Sequence, residues 1–322
     1  MFKRFSIATV LLSLILAACG DDGATVITTP EETTTMPADD GHGHIVGTYV
    51  QNAEDFAGKT AADWDNAETV RVELSEYAFT PTDLTFEAGM PYKLELVNVG
   101  QIKHEVAAVD FFGSVAWRKV ESPQSEVKAP FFNEIEVFPG ATVELFFVPI
   151  TPGTYEVLCE LEGHLEAGMR GTVTVVGTAP TSPVPVFAAI DEGSWVIDGA
   201  ELVAAADWET METIEIELSE FAFSPNEIHL TVGQPYKLVF TNIGGVKHEA
   251  TAAEFFQTIA LRKVEDASGE FKAPTLLEVE TFAGAVTEVF LIPQTAGTYD
   301  LLCEIEGHFE AGMFGTIVVE DA

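Results

Sequence analysis

Two stretches of this chain carry the same soft and borderline metal donors at the same spacing. Cys159, His164 and Met169 stand five residues apart, and Cys303, His308 and Met313 repeat the pattern. In the first stretch Tyr155, Val157 and Cys159 occupy alternate positions, so the Cys is expected to point inward from the end of a strand. Gly163 and Gly168, matched by Gly307 and Gly312, let the chain fold back so that His and Met return to one point. A fourth donor must come from another strand. Each copy offers one suitable imidazole just beyond an Asn-x-Gly turn, His104 and His248.

Two imidazoles, a thiolate and a thioether form the donor set associated with blue copper. Sulfur favours Cu+, imidazole accepts either oxidation state, and a site whose positions are all filled by protein passes electrons while leaving little room for a substrate. The expectation is two copper ions per chain, cycling between Cu+ and Cu2+. Buried Cys is often inert, Met often fills gaps and a lone His is often simply hydrogen-bonded. The spacing Cys-x4-His-x4-Met with an upstream His is what separates these residues from such uses.

The elements that must position the donors follow from an internal repeat. Shifting the sequence by 144 residues aligns Ala62-Asp63-Trp64 with Ala206-Asp207-Trp208 and runs to the C-terminus without a gap, with roughly half the positions identical. So long a period means duplicated domains, not a solenoid. Residues 62–177 and 206–322 are the two copies, and 178–205 is a linker that opens rich in Pro, Thr and Ser. Within each copy the hydrophobic period is two. Val70, Val72 and Leu74 alternate with Arg71 and Glu73, and Val143, Leu145 and Phe147 alternate with Glu144 and Phe146. Turn signals such as Ala88-Gly89-Met90-Pro91 and Pro139-Gly140 separate these runs, predicting an all-β sandwich per copy. Helix-like spacing of Phe111, Phe112, Val115, Ala116, Lys119 and Val120 predicts one short helix or ordered excursion inside it.

The N-terminus reads as an export signal. Lys3 and Arg4 precede the apolar run Phe5–Leu16, which is too short to span a bilayer comfortably. Leu16-Ala17-Ala18-Cys19 resembles the lipobox of bacterial lipoproteins, implying a signal peptide at 1–18, lipid on Cys19 and a flexible tether over 19–61. The tether holds His42 and His44, too few donors for a site in a mobile segment. The expected location is the outside of the cytoplasmic membrane, or the periplasm or outer membrane, of a bacterium. Losing residues 1–18 removes two basic residues and no acid, leaving 52 acidic against 13 basic residues, net −39. Such a surface excludes nucleic acid and repels anionic lipid headgroups, so membrane attachment rests on the lipid. It also suits a cationic partner or a salty habitat.

Both repeats resemble cupredoxins, the plastocyanin and azurin superfamily, and the loop spacing is similar to that of rusticyanin and auracyanin. The resemblance covers nearly all of both copies. It implies two tandem Greek-key β-sandwiches, with His104, Cys159, His164 and Met169 as ligands in the first and His248, Cys303, His308 and Met313 in the second. It also implies that the loop His lies near the surface in an apolar patch, the usual route for electrons. The neighbours there are Leu165 in the first copy and Phe309 and Phe314 in the second, which are the expected docking residues. Glu105 and Glu249 follow the upstream His directly, but adjacent strand residues face opposite ways, so neither is expected as a ligand.

The leading function is therefore one-electron transfer between redox protein partners, such as basic cytochromes, with no small-molecule substrate and no enzymatic activity. A second reading is copper capture or delivery. A third is a two-domain copper oxidase or nitrite reductase. Such enzymes need further His ligands, one of them beside the ligand Cys, where this chain has Leu158 and Glu160, and Leu302 and Glu304.

Overall fold

The computed structural model describes residues 64–179 and 199–322. The expected leader, Cys19, the tether with His42 and His44, and most of the linker lie outside the described residues. In the first copy alternating sequence becomes strand: β1 (Glu68–Ser75), β2 (Ala78–Thr80), β3 (Asp83–Glu87), β4 (Tyr92–Asn98) and β5 (His104–Ala107). After a single helical turn, α1 (Val109–Phe112), come β6 (Val115–Glu121), β7 (Ser125–Lys128), β8 (Glu134–Val137), β9 (Thr142–Pro149), β10 (Gly153–Leu158) and β11 (Arg170–Val176). The second copy repeats the order. It runs α2 (Gly199–Ala205), β12 (Glu212–Ser219), β13 (Ala222–Ser224), β14 (Glu227–Thr231), β15 (Tyr236–Asn242) and β16 (His248–Thr251). It then continues through α3 (Ala253–Phe256), β17 (Ile259–Glu265), β18 (Gly269–Lys272), β19 (Glu278–Thr281), β20 (Val286–Pro293), β21 (Gly297–Leu302) and β22 (Phe314–Glu320).

The period-two pattern places its apolar members inside. Val72 and Leu74 of β1, Leu94 and Leu96 of β4, and Val143, Leu145 and Phe147 of β9 are all buried. The helix-like spacing after Phe112 has a different origin from the one expected. Only Val109–Phe112 is helical, and Val115 onward is strand. A register shift between Trp117 and Lys119 in the pairing of β6 with β9 breaks the alternation, leaving Val115, Ala116, Trp117 and Val120 buried. A bulge thus counterfeits a helical phase. The second copy has the same shift between Leu261 and Lys263. Residues 199–205, expected as linker, form α2, and Trp208 behind it donates through Nε1 to the Val203 carbonyl at 2.8 Å. The Arg262 guanidinium lies over that indole at 4.8 Å, as Arg118 lies over Trp64 at 5.0 Å.

The copies are not beads on a string. β18 pairs with β8 and β19 with β7, so two 11-stranded sheets each join strands of both copies. Val127, Ile135, Phe271 and Val279 at these junctions are buried in one hydrophobic cluster that runs through both sandwiches. At one junction a Cβ on Gly269 would stand 2.2 Å from the Glu136 carbonyl oxygen, so the strands approach this closely only because the position has no side chain. The same residues bring the edge strands of each copy into continuous sheet, which removes exposed edges between them.

Candidate metal centre

Each upstream His is delivered by a side-chain-locked turn. Asn98 donates through Nδ2 to the carbonyls of Ile102 and Val137, both at 2.8 Å, while its Oδ1 accepts the Gly100 amide at 2.8 Å. His104 then begins β5, with its ring buried. Asn242 makes the equivalent bonds to Val246, Thr281 and Gly244 ahead of His248. The Cys arrives from the other direction. Cys159 lies one residue past β10, and its amide donates to the Met169 carbonyl at 3.1 Å, closing the loop at its base. Inside the loop Met169 N–H donates to the His164 carbonyl at 3.0 Å, and Gly163 and Gly168 take φ of 82° and 99°. Those left-handed values are the reason for glycine at the two fold-back points.

The first site brings His104, Cys159 and His164 together, and the second brings His248, Cys303 and His308, with the donor atoms in each trio within 4.8 Å of one another. Cys159 Sγ is 3.2 Å from His164 Nδ1, and Cys303 Sγ is 3.3 Å from His308 Nδ1. The two imidazoles of each site have ring centroids 5.2 and 5.1 Å apart. Met169 and Met313 are completely buried at the far end of each loop. Cys159 Sγ and Cys303 Sγ each also accept a main-chain hydrogen bond, from the Glu105 amide at 3.4 Å and the Glu249 amide at 3.5 Å.

Glu105 and Glu249 thus serve the site through their backbones, while their side chains face away as strand alternation requires. The Glu105 carboxylate instead lies with Glu134 and Glu136 near the junction of β8 and β18, where burial, reinforced by the Glu134 charge, pushes its pKa up to about 7. The lysines of the neighbouring strands enter the same region, Lys272 pairing with Glu134 and Lys103 with Glu136. A second grouping of Glu126, Glu278 and Glu280 is likewise met by Lys128 and Lys247. Nothing in the isolated sequence pointed to the pairing of Lys272 with Glu134 and of Lys128 with Glu278, because the paired strands that carry each of these two ion pairs belong to different copies.

Burial disfavours the charged forms of the free donor side chains. Burial pushes the Cys159 and Cys303 thiols above their ordinary range, against the opposing pull of the Glu105 and Glu249 amides. Burial likewise lowers the pKa of His104 and His248, helped by the second imidazole of each site. Both ring nitrogens of His104 and of His248 are buried with no hydrogen-bond partner. An unpartnered buried polar group costs about 1–3 kcal/mol, and ligation of one nitrogen offsets part of it. The residues present therefore fit a thiolate-imidazole metal site.

At the rim the expected docking residues fall as follows. Leu165 is partly buried, while Phe309 and Phe314 are 49% and 54% exposed with rings 6.0 Å apart. Sequence reasoning missed one rim residue in each copy, Tyr77 and Phe221, which stand edge-on to His164 and His308 at 5.3 and 5.4 Å. Both take positive φ, 68° and 66°, at the tip of the hairpin between the first two strands of each copy, which aims the ring at the imidazole. His229 lies in β14, is exposed, and contacts Glu227 at 2.9 Å, apart from either site.

The first copy is a cupredoxin-like domain, and the second copy repeats its strand order and its Cys-His-His convergence. Residues 55–175 match the family model of the cupredoxin-like domain. The copper-resistant cuproprotein CopI of Rubrivivax gelatinosus is 29% identical over 150 residues, covering 44% of this chain and 88% of that protein. Dithionite-reduced auracyanin of Roseiflexus castenholzii is 17% identical, with 34% of this chain and 98% of that one covered and a TM-score of 0.25. The copper-containing nitrite reductase of Thermus scotoductus is 14% identical with a TM-score of 0.29. That match covers 79% of this chain but 62% of the enzyme, less than two thirds of its length.

Proposed function

We propose that this protein carries single electrons between redox partners outside the cytoplasm, through one copper ion in each sandwich. The observation that carries the reading is the convergence, in both copies, of a buried thiol and two imidazoles, one of them with both nitrogens unpartnered. His104, Cys159, His164 and Met169 would hold the first ion, and His248, Cys303, His308 and Met313 the second. Copper on such a set takes up and returns one electron without needing an open coordination position. The chain's own contribution is to hold the donors still. Asn98 and Asn242 lock the turns, the loop closes on the Cys amide, and the Glu105 and Glu249 amides point at the sulfurs where charge is held. Anaerobic copper titration of the mature soluble fragment, with visible spectra and a redox titration, tests it. Two equivalents should bind, oxidation should produce intense thiolate-to-Cu2+ absorption, and Cys159→Ser or Cys303→Ser should each remove about half of it. Unchanged absorption in either variant removes that Cys from the site.

A second reading, copper capture or delivery, is favoured by the likeness to a copper-resistant cuproprotein. The same titration separates the two, since delivery requires transfer of Cu+ to a competing chelator on the timescale of minutes, whereas an electron carrier retains its metal through repeated redox cycles. For an additional catalytic copper, His229 is the one further imidazole among the described residues, and it is exposed and held by Glu227. The lipid on Cys19 is proposed to hold the mature chain to a membrane. Cys19→Ala should yield soluble or poorly processed protein, and correctly cleaved variant that stays membrane-bound would overturn the anchor. No helix among the described residues is long and apolar enough to cross a membrane.

A further inference from the structure

Behind each upstream imidazole, on the side of Nε2, stands an acidic residue that the donor pattern does not include. Glu76 follows β1 at the start of the hairpin, and Glu220 holds the same place in the second copy. A Cβ built on Gly100 would lie 2.7 Å from Glu76 Oε1 and 2.9 Å from His104 Nε2. On Gly244 it would lie 2.9 Å from Glu220 Oε1 and 2.9 Å from His248 Nε2. Carboxylate and imidazole thus face one another across a gap that exists only because residues 100 and 244 have no side chain. The imidazole nitrogens on the inner side of that gap are buried and have no hydrogen-bond partner.

We infer that Glu76 and Glu220 are positioning residues for His104 and His248, each holding the imidazole with its proton on Nε2 and Nδ1 bare toward the Cys. This inference rests on the copper reading above, and it deepens that reading by adding a charge partner behind one ligand of each site. The carboxylate is held for the task by the turn itself. Glu76 Oε1 accepts the Gln101 amide at 2.5 Å, and Glu220 Oε1 accepts the Gly245 amide at 2.5 Å. Those amides, more than any other influence, keep both carboxyls below the usual range, so each is ionised at neutral pH. Besides burial, the groups that act on His104 are His164 and Glu76, and on His248 they are His308 and Glu220. No direct hydrogen bond joins carboxylate and ring across the gap, and a small side-chain adjustment or one bridging water passes the orientation between them. A ligand imidazole whose second nitrogen faces a carboxylate is a stronger donor and favours the more positive metal state. Recurrence of the same triad of Glu, Gly and His in both copies, despite Gln101 becoming Gly245 in the turn, argues that the contact and not the loop sequence is what matters.

The test uses Glu76→Gln and Glu220→Gln in the full mature chain. The amide oxygen of Gln still accepts the turn N–H, so the loop stays folded while the charge is lost. Glu76→Gln should raise the reduction potential of the first site and leave the second unchanged, and Glu220→Gln should do the reverse. A threefold to tenfold loss in preference for Cu2+ over Cu+ is expected, tens of mV at 59 mV per tenfold for one electron. Gly100→Ala, which wedges a methyl group into the gap, should shift the first site in the same direction. A readout independent of copper is the nitrogen-15 spectrum of the metal-free chain, where His104 should carry its proton on Nε2 in wild type and a mixture of tautomers in Glu76→Gln. Unaltered potentials with an unaltered tautomer and melting temperature in both Gln variants overturn the inference. Wild type that binds no copper but shows the Nε2 tautomer, lost in Glu76→Gln, overturns the copper reading and leaves the positioning role standing.

Discussion

At each site a proton must leave before a metal can be held. Burial keeps the Cys159 and Cys303 thiols protonated through neutral pH, while it keeps His104 and His248 neutral there by lowering their pKa. Loading at pH 7.5 should therefore release one proton per site from the thiol and none from the upstream imidazole, and apparent affinity should rise about tenfold per pH unit until the thiol pKa is passed. Calorimetry in buffers of different ionisation enthalpy counts these protons, and release of none would mean that the sulfur is not the ligand. The thioether makes a separate prediction. A weak axial donor stabilises Cu2+ more than Cu+, so Met169→Leu or Met313→Leu should retain the metal and raise the potential of the altered site. A lowered potential in either variant would contradict the axial role.

The elements hold these residues through contacts that cross between the copies. Asp266 follows β17, and its Oδ2 accepts the hydroxyls of Ser122 and Ser125 in the first copy, both at 2.6 Å. Its Oδ1 accepts the amides of Ser268 and Gly269 at 2.6 and 3.2 Å. Ser125 lies opposite Thr281, which lies opposite His248, so this knot sits two strand positions from a site imidazole. Asp266→Ala leaves four buried donors without an acceptor and should cost about 2–4 kcal/mol. Asp266→Asn, which keeps one acceptor oxygen, should cost less. Urea unfolding of the metal-free chain measures both, and a loss below 1 kcal/mol for the Ala variant would show that the interface does not depend on the knot. Within each copy the strands of Val70–Leu74 and Val143–Phe147 and the meeting of Cys, His and upstream His were legible, because alternation and short-range spacing encode them. The β6 bulge was not, since two consecutive inward residues read equally as a helical phase. Nor was the pairing of β7 with β19 and β8 with β18, because edge-strand partners between copies leave no periodic mark in one sequence. Glu76 and Tyr77 went unseen for a related reason: a hairpin tip approaches the site through space, at no fixed distance along the chain from the donors.

For the molecule as a whole, the two sites differ most where a partner would meet them. Around His308, Phe309, Phe314, Phe221, Ile243 and Val246 are all exposed, between 46% and 59% of their surface. Around His164 the counterparts are the partly buried Leu165, the exposed cation Arg170, and Tyr77, Val99 and Ile102. A contiguous apolar patch is easily desolvated on contact, and aromatic anchors within it carry a large share of association energy. His308 is itself partly exposed, whereas His164 is 6% exposed beneath its rim. A strongly acidic chain attracts a cationic partner at long range, and Arg170 opposes that attraction at the first site only. The second sandwich is thus the expected docking face for a basic redox protein. Stopped-flow electron transfer to a basic cytochrome should slow as salt rises from 10 mM to 300 mM, since the Debye length contracts from about 30 Å to under 8 Å over that range. Phe309→Ala and Phe314→Ala should each lower the rate by about threefold to tenfold at every salt concentration, and Leu165→Ala should change it by less than twofold. Arg170→Glu should leave the rate through the second site unaltered. If Leu165→Ala loses more rate than both Phe variants, docking takes place on the first sandwich, and electrons enter through His164.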